Sequence, residues 1–277
     1  MSEKAWLITG TSKGFGRVWA EAALDRGDKV AATARDTKAL ALLVEKYGDS
    51  VLPIALDVTD RRAVFAAAKQ TADKFGRIDV AINNAGYGHF GMVEEATEEE
   101  ARAQIETNVF GALWVTQAVL PYMREQKYGH ILQVSSLGGV NAFPNLGLYH
   151  ASKWALEGFS QSLAAEVGPE LGIRVTLIEP ALYSTDWAGD SAVRSERIAG
   201  YDEPRARIAQ ATAARRATPG DPQATADAIL KVVDSDEPPL RLFLGKINLD
   251  MTRDEYERRI EEWEKWDDTA QAAHTLP

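Results

Sequence analysis

Seven short apolar runs, separated by longer stretches of helical periodicity, restrict this chain to a narrow set of folds. The runs lie near residues 5–9, 29–34, 51–56, 79–83, 130–135, 173–179 and 240–244, and read as strands. Helices are expected near 14–26, 37–47, 60–75, 98–126, 149–167 and 222–234. Strand–helix–strand alternation is the pattern of a parallel sheet, because each return to the same sheet edge needs a crossover helix. The expected fold class is therefore α/β: a doubly wound, seven-stranded, mainly parallel sheet with helices on both faces. Local chemistry marks several helix ends. Thr97-Glu98-Glu99-Glu100 is a capping box, Asp221-Pro222 pairs a capping acceptor with a first-turn proline, and Gly48 and Gly172 sit where helices should stop.

The 277 residues suit one large domain, and at that length roughly three quarters of the unfolded surface can be buried. No linker or repeat divides the chain, so residues 1–277 are expected to form a single domain. Two regions break the alternation. Residues 181–220 are too long for an ordinary connection and carry Tyr183, Trp187 and Tyr201 among charges, as a mobile substrate lid would. A charged C-terminal helix, about 250–270, places Tyr256, Ile260, Trp263 and Trp266 at helical spacing, a stripe expected to dock on the body or on a partner subunit.

Composition removes whole classes of function. Without cysteine there are no disulfides, no thiolate catalysis and no Cys-based zinc sites. The net charge of −10 disfavours nucleic acid and anionic membranes as partners. The apolar run Ala5 to Ile8 is too short for a signal peptide, and no stretch approaches the ~18–20 apolar residues of a membrane span, so a cytoplasmic location is expected. The histidines, at 89, 130, 150 and 274, do not cluster, and no metal is expected. His150 reads as structural or exposed, and His89 as a surface-loop residue.

Thr9-Gly10-Thr11-Ser12-Lys13-Gly14-Phe15-Gly16 follows the first strand and opens the first helix. Glycines there let the backbone turn tightly and approach a pyrophosphate, whose charge a helix N-terminus favours. The spacing Gly-x-x-x-Gly-x-Gly, followed in order by Asn83-Asn84-Ala85-Gly86, Asn108, Ser136 and Tyr149-x-x-x-Lys153, resembles the short-chain dehydrogenase/reductase family. The resemblance covers residues 5 to about 190 and implies a Rossmann-like fold and a nicotinamide cofactor held by Gly10, Ser12, Lys13, Gly14, Phe15 and Gly16. It further implies that Asp57 accepts from the adenine amino group with Val58 against the ring, and that Asn84, Ala85 and Gly86, with Asn83 nearby, lie beside the cofactor.

The choice of cofactor depends on register. Counting about 20 residues from the glycines selects Asp36 and an NAD ribose. The family register instead puts Ala34 at the acid position, with Arg35 next and Lys13 facing the same 2′-phosphate, which favours NADP(H) and leaves Asp36 as a helix cap. NADP(H) is the expectation, with NAD possible.

Tyr149 and Lys153 share one helix face, so an ammonium can sit beside the phenol. A cation there would lower the phenol from its ordinary pKa of about 10, as a general acid/base requires. Ser136 ends the fifth strand, and the resemblance makes it the hydroxyl that binds the substrate oxygen, with Ser135 its neighbour. Asn108 lies inside a helical pattern, where asparagine competes with backbone hydrogen bonds; its family counterpart holds a water that relays protons to the lysine. Together these imply hydride transfer between the cofactor and a carbonyl or secondary alcohol, with Tyr149 giving or taking the proton.

One motif departs from the family. Pro180-Ala181 replaces the usual Pro-Gly, so either the backbone at 181 is ordinary or the loop follows another path. Pro180 and Thr185 still match positions that meet the nicotinamide. Leu137, Phe143, Leu146, Tyr183 and Trp187 are the candidate pocket residues, mostly apolar, and suggest a hydrophobic ketone or alcohol. Apolar residues on more than one face of the helices at 98–126 and 149–167 suggest a homodimer or homotetramer. Two rival readings are a cofactor-sensing regulator without turnover and a nucleotide-sugar dehydratase or epimerase; the intact Ser-Tyr-Lys set opposes the first, the wide glycine spacing the second.

Overall fold

The computed structural model describes residues 3–168, 170–214 and 218–274. Seven strands form one sheet: β1 (Ala5–Ile8), β2 (Lys29–Ala34), β3 (Val51–Ala55), β4 (Val80–Asn83), β5 (Gly129–Val134), β6 (Ile173–Pro180) and β7 (Arg241–Leu244). Their spatial order is β3-β2-β1-β4-β5-β6-β7, and every neighbouring pair is parallel. The expected fold class is therefore the observed one.

Alternation along β1 shows how two cores arise from one strand. Trp6 and Ile8 enter the cluster that α1 (Gly14–Asp25), α2 (Ala41–Tyr47) and α8 (Ala226–Asp234) cover, while Leu7 enters the other, under α3 (Arg61–Phe75), α5 (Gly111–Gln126) and α6 (Gly147–Val167). Trp19 is 1% exposed, and its indole donates to Thr225 Oγ1 at 2.8 Å, which ties α1 to the turn before α8. A buried indole satisfied in this way costs no orphaned donor.

The predicted helix at 98–126 is interrupted. Thr97 and Glu100 make the reciprocal capping bonds expected of them, and α4 (Glu98–Ile105) then runs into a π-helical turn at Glu106–Phe110 before α5 begins. π-turns cluster at functional sites, and this one holds Asn108.

The segment after β6 is better fastened than a mobile lid. It contains a short strand, Val193–Arg194, that pairs with His89–Phe90, and the helix α7 (Asp202–Ala214); residues 215–217 of the expected lid lie outside the described residues. Buried polar groups hold it. Arg205 pairs with Glu95, whose carboxylate also accepts from the Ile198 amide at 3.0 Å, and Tyr201 donates to Glu94 at 2.7 Å.

The C-terminal helix α9 (Asn248–Ala272) touches the body near its start, where Asn141 Nδ2 donates to the Met251 carbonyl and Arg259 stacks over Trp154. Beyond that, Ile260, Trp263 and Trp266 are exposed, so the expected stripe does not dock on the body. Among the described residues no helix is long and apolar enough to cross a membrane.

Glu95 has a fully buried side chain, so removing its cation strands a charge, which costs about 3–5 kcal/mol. Arg205→Ala is therefore expected to speed hydrogen exchange at the Ile198 amide by at least about 100-fold through local opening, read by mass spectrometry or NMR. Unchanged exchange would mean that the lid is held elsewhere.

Candidate active site

The sheet order reverses direction between β1 and β4, and a crevice opens there at the strands' carboxyl ends. Two loops meet in it. Thr9 Oγ1, at the end of β1, accepts from the amides of Asn84 and Ala85 at 3.0 Å each; Asn84 Nδ2 returns bonds to the carbonyls of Thr9 and Gly10 at 2.9 Å. Gly10 adopts φ +70, and a Cβ on Gly16 would lie 2.4 Å from the Gly10 oxygen and 2.5 Å from Asn84 Nδ2. These glycines therefore close the loop against β4. The first turn of α1 has no acid and no side-chain cap, so its free N–H groups are open to an anion. This is a cradle of the kind a dinucleotide pyrophosphate requires, and the residues fit that group.

Around the cradle, Ser12 and Lys13 are exposed, and Lys13 pairs with Asp186 from the lid, a partner 173 residues away. That bond, with one from Ser191, holds the Asp186 carboxyl well down, to about 2. Phe15 stacks on Trp19 and meets Tyr183 edge-on, both at 5.1 Å. Arg35 is exposed at the end of β2. Asp36 accepts from its own helix at Lys38 N, 2.9 Å, the capping role expected of it. Asp57 Oδ1 accepts from the amide and hydroxyl of Thr59, and the Val58 side chain is buried beside Gly111.

Asn83 ties neighbouring elements together. Its amide donates to Gln133 Oε1 at 2.9 Å, Thr116 Oγ1 at 3.1 Å and the Ala112 carbonyl at 3.3 Å, a network within the core. Alternation explains this, since adjacent residues at a strand end face opposite ways.

The catalytic set assembles around the start of α6. Ser136, just beyond β5, accepts from the Gly138 amide at 3.0 Å, and its hydroxyl reaches the Tyr149 phenol. Lys153 Nζ donates to the Val134 carbonyl at 2.6 Å and lies 5.8 Å from the Tyr149 ring centre. Asn108 Nδ2 donates to Ser152 Oγ at 3.0 Å and to the Tyr87 carbonyl at 3.1 Å, while its Oδ1 accepts from the Tyr87 amide. A Cβ on Gly86 would come 3.0 Å from Asn108 Oδ1 and 3.8 Å from Lys153 Nζ, so Gly86 borders the lysine.

Burial, not charge, sets the proton affinities. Tyr149 is 6% exposed, and desolvation pushes its phenol up to about 12 against the opposing bond with Ser136. The same burial brings Lys153 down to about 8, opposed by the charge of Glu157. Burial of the phenol thus opposes the lowering expected from its lysine.

Trp187 lies against Tyr149, ring centres 4.9 Å apart, and against Phe90 at 5.1 Å, over a Gly88 whose Cβ would touch its indole. Leu137 is buried beside Ser136, Leu146 precedes α6, and Phe143 stands 5.5 Å from His150. Tyr183 packs on Phe15 and Gly220. Pro180 ends β6 buried, and Ala181 donates to the Leu244 carbonyl at 2.9 Å without a positive φ, so its backbone is ordinary. Thr185 Oγ1 caps the turn that carries Trp187.

His150 is structural and buried, its ring nitrogens bonded to the Gly138 carbonyl and the Phe143 amide. His89 is not a surface residue: it is 1% exposed, with Nε2 3.0 Å from Ser195 Oγ, which donates to Glu100 Oε2 at 2.8 Å. Glu100 approaches that same nitrogen at 3.4 Å, so the three groups form a clasp on the lid, not a nucleophilic relay. Nothing local in the sequence marks this clasp or the Lys13–Asp186 pair. Among the described residues no group of His, Asp and Glu could hold a metal.

Comparison with known proteins agrees with this geometry. The family model for short chain dehydrogenase matches residues 4–195. An oxidoreductase, BOA17, from Botryotinia fuckeliana is 46% identical over 248 residues, covering 87% of this chain and 89% of its own. The chain belongs to the short-chain dehydrogenase family. It is accordingly an oxidoreductase of the kind that acts on CH–OH groups. A short-chain dehydrogenase from Streptomyces avermitilis superposes with a TM-score of 0.89 at 39% identity, over 99% of this chain and 100% of that one. An alcohol dehydrogenase from the archaeon Thermococcus sibiricus, complexed with 5-hydroxy-NADP, gives 0.73 at 25% identity over 88% and 96%.

The family's glycine loop fixes one expectation for stability. Gly16→Ala forces a methyl onto the Gly10 carbonyl, and overpacking of this kind costs about 1–3 kcal/mol. Urea denaturation should show that loss at an unchanged m-value; equal stability would mean that the loop relaxes freely.

Proposed function

We propose that this protein is a cytoplasmic, homo-oligomeric, NADP(H)-dependent reductase of a hydrophobic ketone, which it converts reversibly to a secondary alcohol, with Tyr149 as the proton donor. The observation that carries the reading is the convergence of Ser136, Tyr149 and Lys153 beside an uncapped helix N-terminus at the sheet's crevice. Gly10, Ser12, Lys13, Gly14, Phe15 and Gly16 would hold the pyrophosphate, Asp57 and Val58 the adenine, and Asn84, Ala85, Gly86, Pro180 and Thr185 the nicotinamide end. When bound, the cofactor supplies or accepts the hydride.

Support for NADP over NAD comes from the two residues at the end of β2. Asp36, the acid that would select a free ribose hydroxyl, spends its carboxylate on its own helix, while Arg35 remains exposed beside it. Lys13 is the second cation, and a 2′-phosphate would compete with Asp186 for it. The apolar wall of Leu137, Phe143 and Trp187 suits a hydrophobic substrate. Phe110 and Trp114, stacked at 5.7 Å with Phe110 39% exposed, offer a face for a second subunit.

The residues then act as follows. Ser136 and Tyr149 donate to the carbonyl oxygen as negative charge develops on it. Tyr149, with its phenol near 12, holds its proton at neutral pH and releases it only to that alkoxide-like oxygen. The phenolate left behind is stabilised by the Lys153 ammonium, which is charged below about 8. As pH rises through that value the ammonium is lost, so reduction weakens on the alkaline side.

Reduction of a panel of aryl and long-chain ketones by NADPH is expected to give a kcat/KM that declines above about pH 8. Ser136→Ala should lower kcat roughly 10²–10³-fold. Tyr149→Phe should still bind NADPH while turnover collapses, and retained turnover would sink the mechanism. Titration of the purified protein, followed by quenching of its 7 tryptophans, should show NADPH binding tighter than NADH; the reverse order would restore the Asp36 register. Sedimentation that shows monomer alone at micromolar concentration would exclude the oligomer.

A further inference from the structure

Three side chains, two of them buried carboxyls, lie beneath the site and take no part in the proton transfer above. Glu157 stands on α6 one turn beyond Lys153, Glu179 lies near the end of β6, and Arg241 opens β7. Glu157 is 6% exposed and Glu179 0%. Arg241 Nε donates to Glu157 Oε2 at 3.0 Å and lies 3.5 Å from Glu179 Oε1, while its outer nitrogen turns to Gln161 at 2.9 Å.

The two carboxyl groups are within hydrogen-bonding reach of each other, yet Glu157 Oε1 and both Glu179 oxygens receive no hydrogen bond. Two facing acceptors become a donor and an acceptor when one of them carries a proton, and a single arginine balances the charge that is left. Burial, and then the charge of Glu157, push Glu179 up to about 9, so Glu179 holds that proton at neutral pH, while Glu157 is the one that accepts from Arg241.

The Glu157 carboxylate sits on the same helix face as Lys153, and its charge opposes the burial that would strip the lysine. The other groups around it are Glu179, Arg241 and the hydroxyl of Ser135, which is buried without a hydrogen-bond partner. Gly139 lets the serine loop rest on the pair: a Cβ there would lie 3.1 Å from Glu157 Oε1 and 2.4 Å from Ser135 Oγ.

We propose that Glu157 is a positioning residue for the proton relay: its carboxylate, held between Arg241 and Glu179, keeps the Lys153 ammonium charged inside a dry site. The inference rests on the reading of Tyr149 and Lys153 as the proton-transfer pair.

The test is the pH dependence of kcat/KM for the ketone reduced fastest in the panel, in the parent, Glu157→Gln and Arg241→Met. Glu157→Gln removes an anion near Lys153, so the alkaline limb is expected to move down by about one pH unit or more. Arg241→Met removes a cation, so its limb is expected to move up. A packing defect would not produce opposite shifts. Limbs that stay in place, or move the same way in both variants, overturn the proposal. Should Glu157→Gln fail to melt cooperatively, Arg241→Met decides alone, since its side chain is 35% exposed: an upward limb supports the proposal, and an unmoved or lower one overturns it. Turnover retained by Tyr149→Phe would defeat the proton-donor reading itself, whereas its loss with unmoved limbs defeats only the role of Glu157.

Discussion

The contact between the ends of β1 and β4 is the constraint on which the site depends. Thr9, Gly10 and Gly16 on one side and Asn84 and Ala85 on the other are locked by four hydrogen bonds, with no room for a Cβ on Gly16. This lock fixes where α1 begins, and thus where its uncapped N–H groups point. It also fixes Gly86, which borders Asn108 and Lys153. Cradle and catalytic set share one crevice because the same pair of strands anchors both.

Within that crevice, the competition between burial and charge decides the chemistry. Tyr149 and Lys153 are both desolvated, which pushes the phenol up and the ammonium down and so moves the two apart. A phenol that clings to its proton suits a donor to a developing oxyanion better than a base toward water. The lysine is the more fragile partner, because its charge survives only if something nearby opposes desolvation. The carboxyl pair behind it supplies that opposition, and the exposed end of Arg241 connects the pair to solvent.

The lid owes its order to polar groups more than to apolar packing. Glu95 with Arg205, the clasp of His89, Ser195 and Glu100, and the pair of Lys13 and Asp186 fasten it at three places. The first two are partly or wholly buried; the third is exposed and lies on the cradle. Trp187, carried on the turn that follows Thr185, rests on Tyr149 between these fastenings. The lid's near end thus answers to the same lysine that a cofactor phosphate would draw, while its far end is fixed.

Much of this was legible in the sequence, for stated physical reasons. Periodicity alone fixed seven strands and the helices between them, because apolar runs of that length have one way to be covered on both faces. The Tyr149 and Lys153 pair was readable from i,i+4 spacing, and the Thr97 cap from its box. Local patterns, however, do not say which way a strand end points or who faces whom across the sheet. Tertiary structure alone therefore tied Asn83 to Gln133 and Thr116, buried His89 and packed Tyr183 on Phe15. It brought Asp186 to Lys13 and set Glu157, Glu179 and Arg241 together from three separate elements. It also set burial against the lysine at Tyr149, since desolvation is a property of the packed site and of no residue by itself.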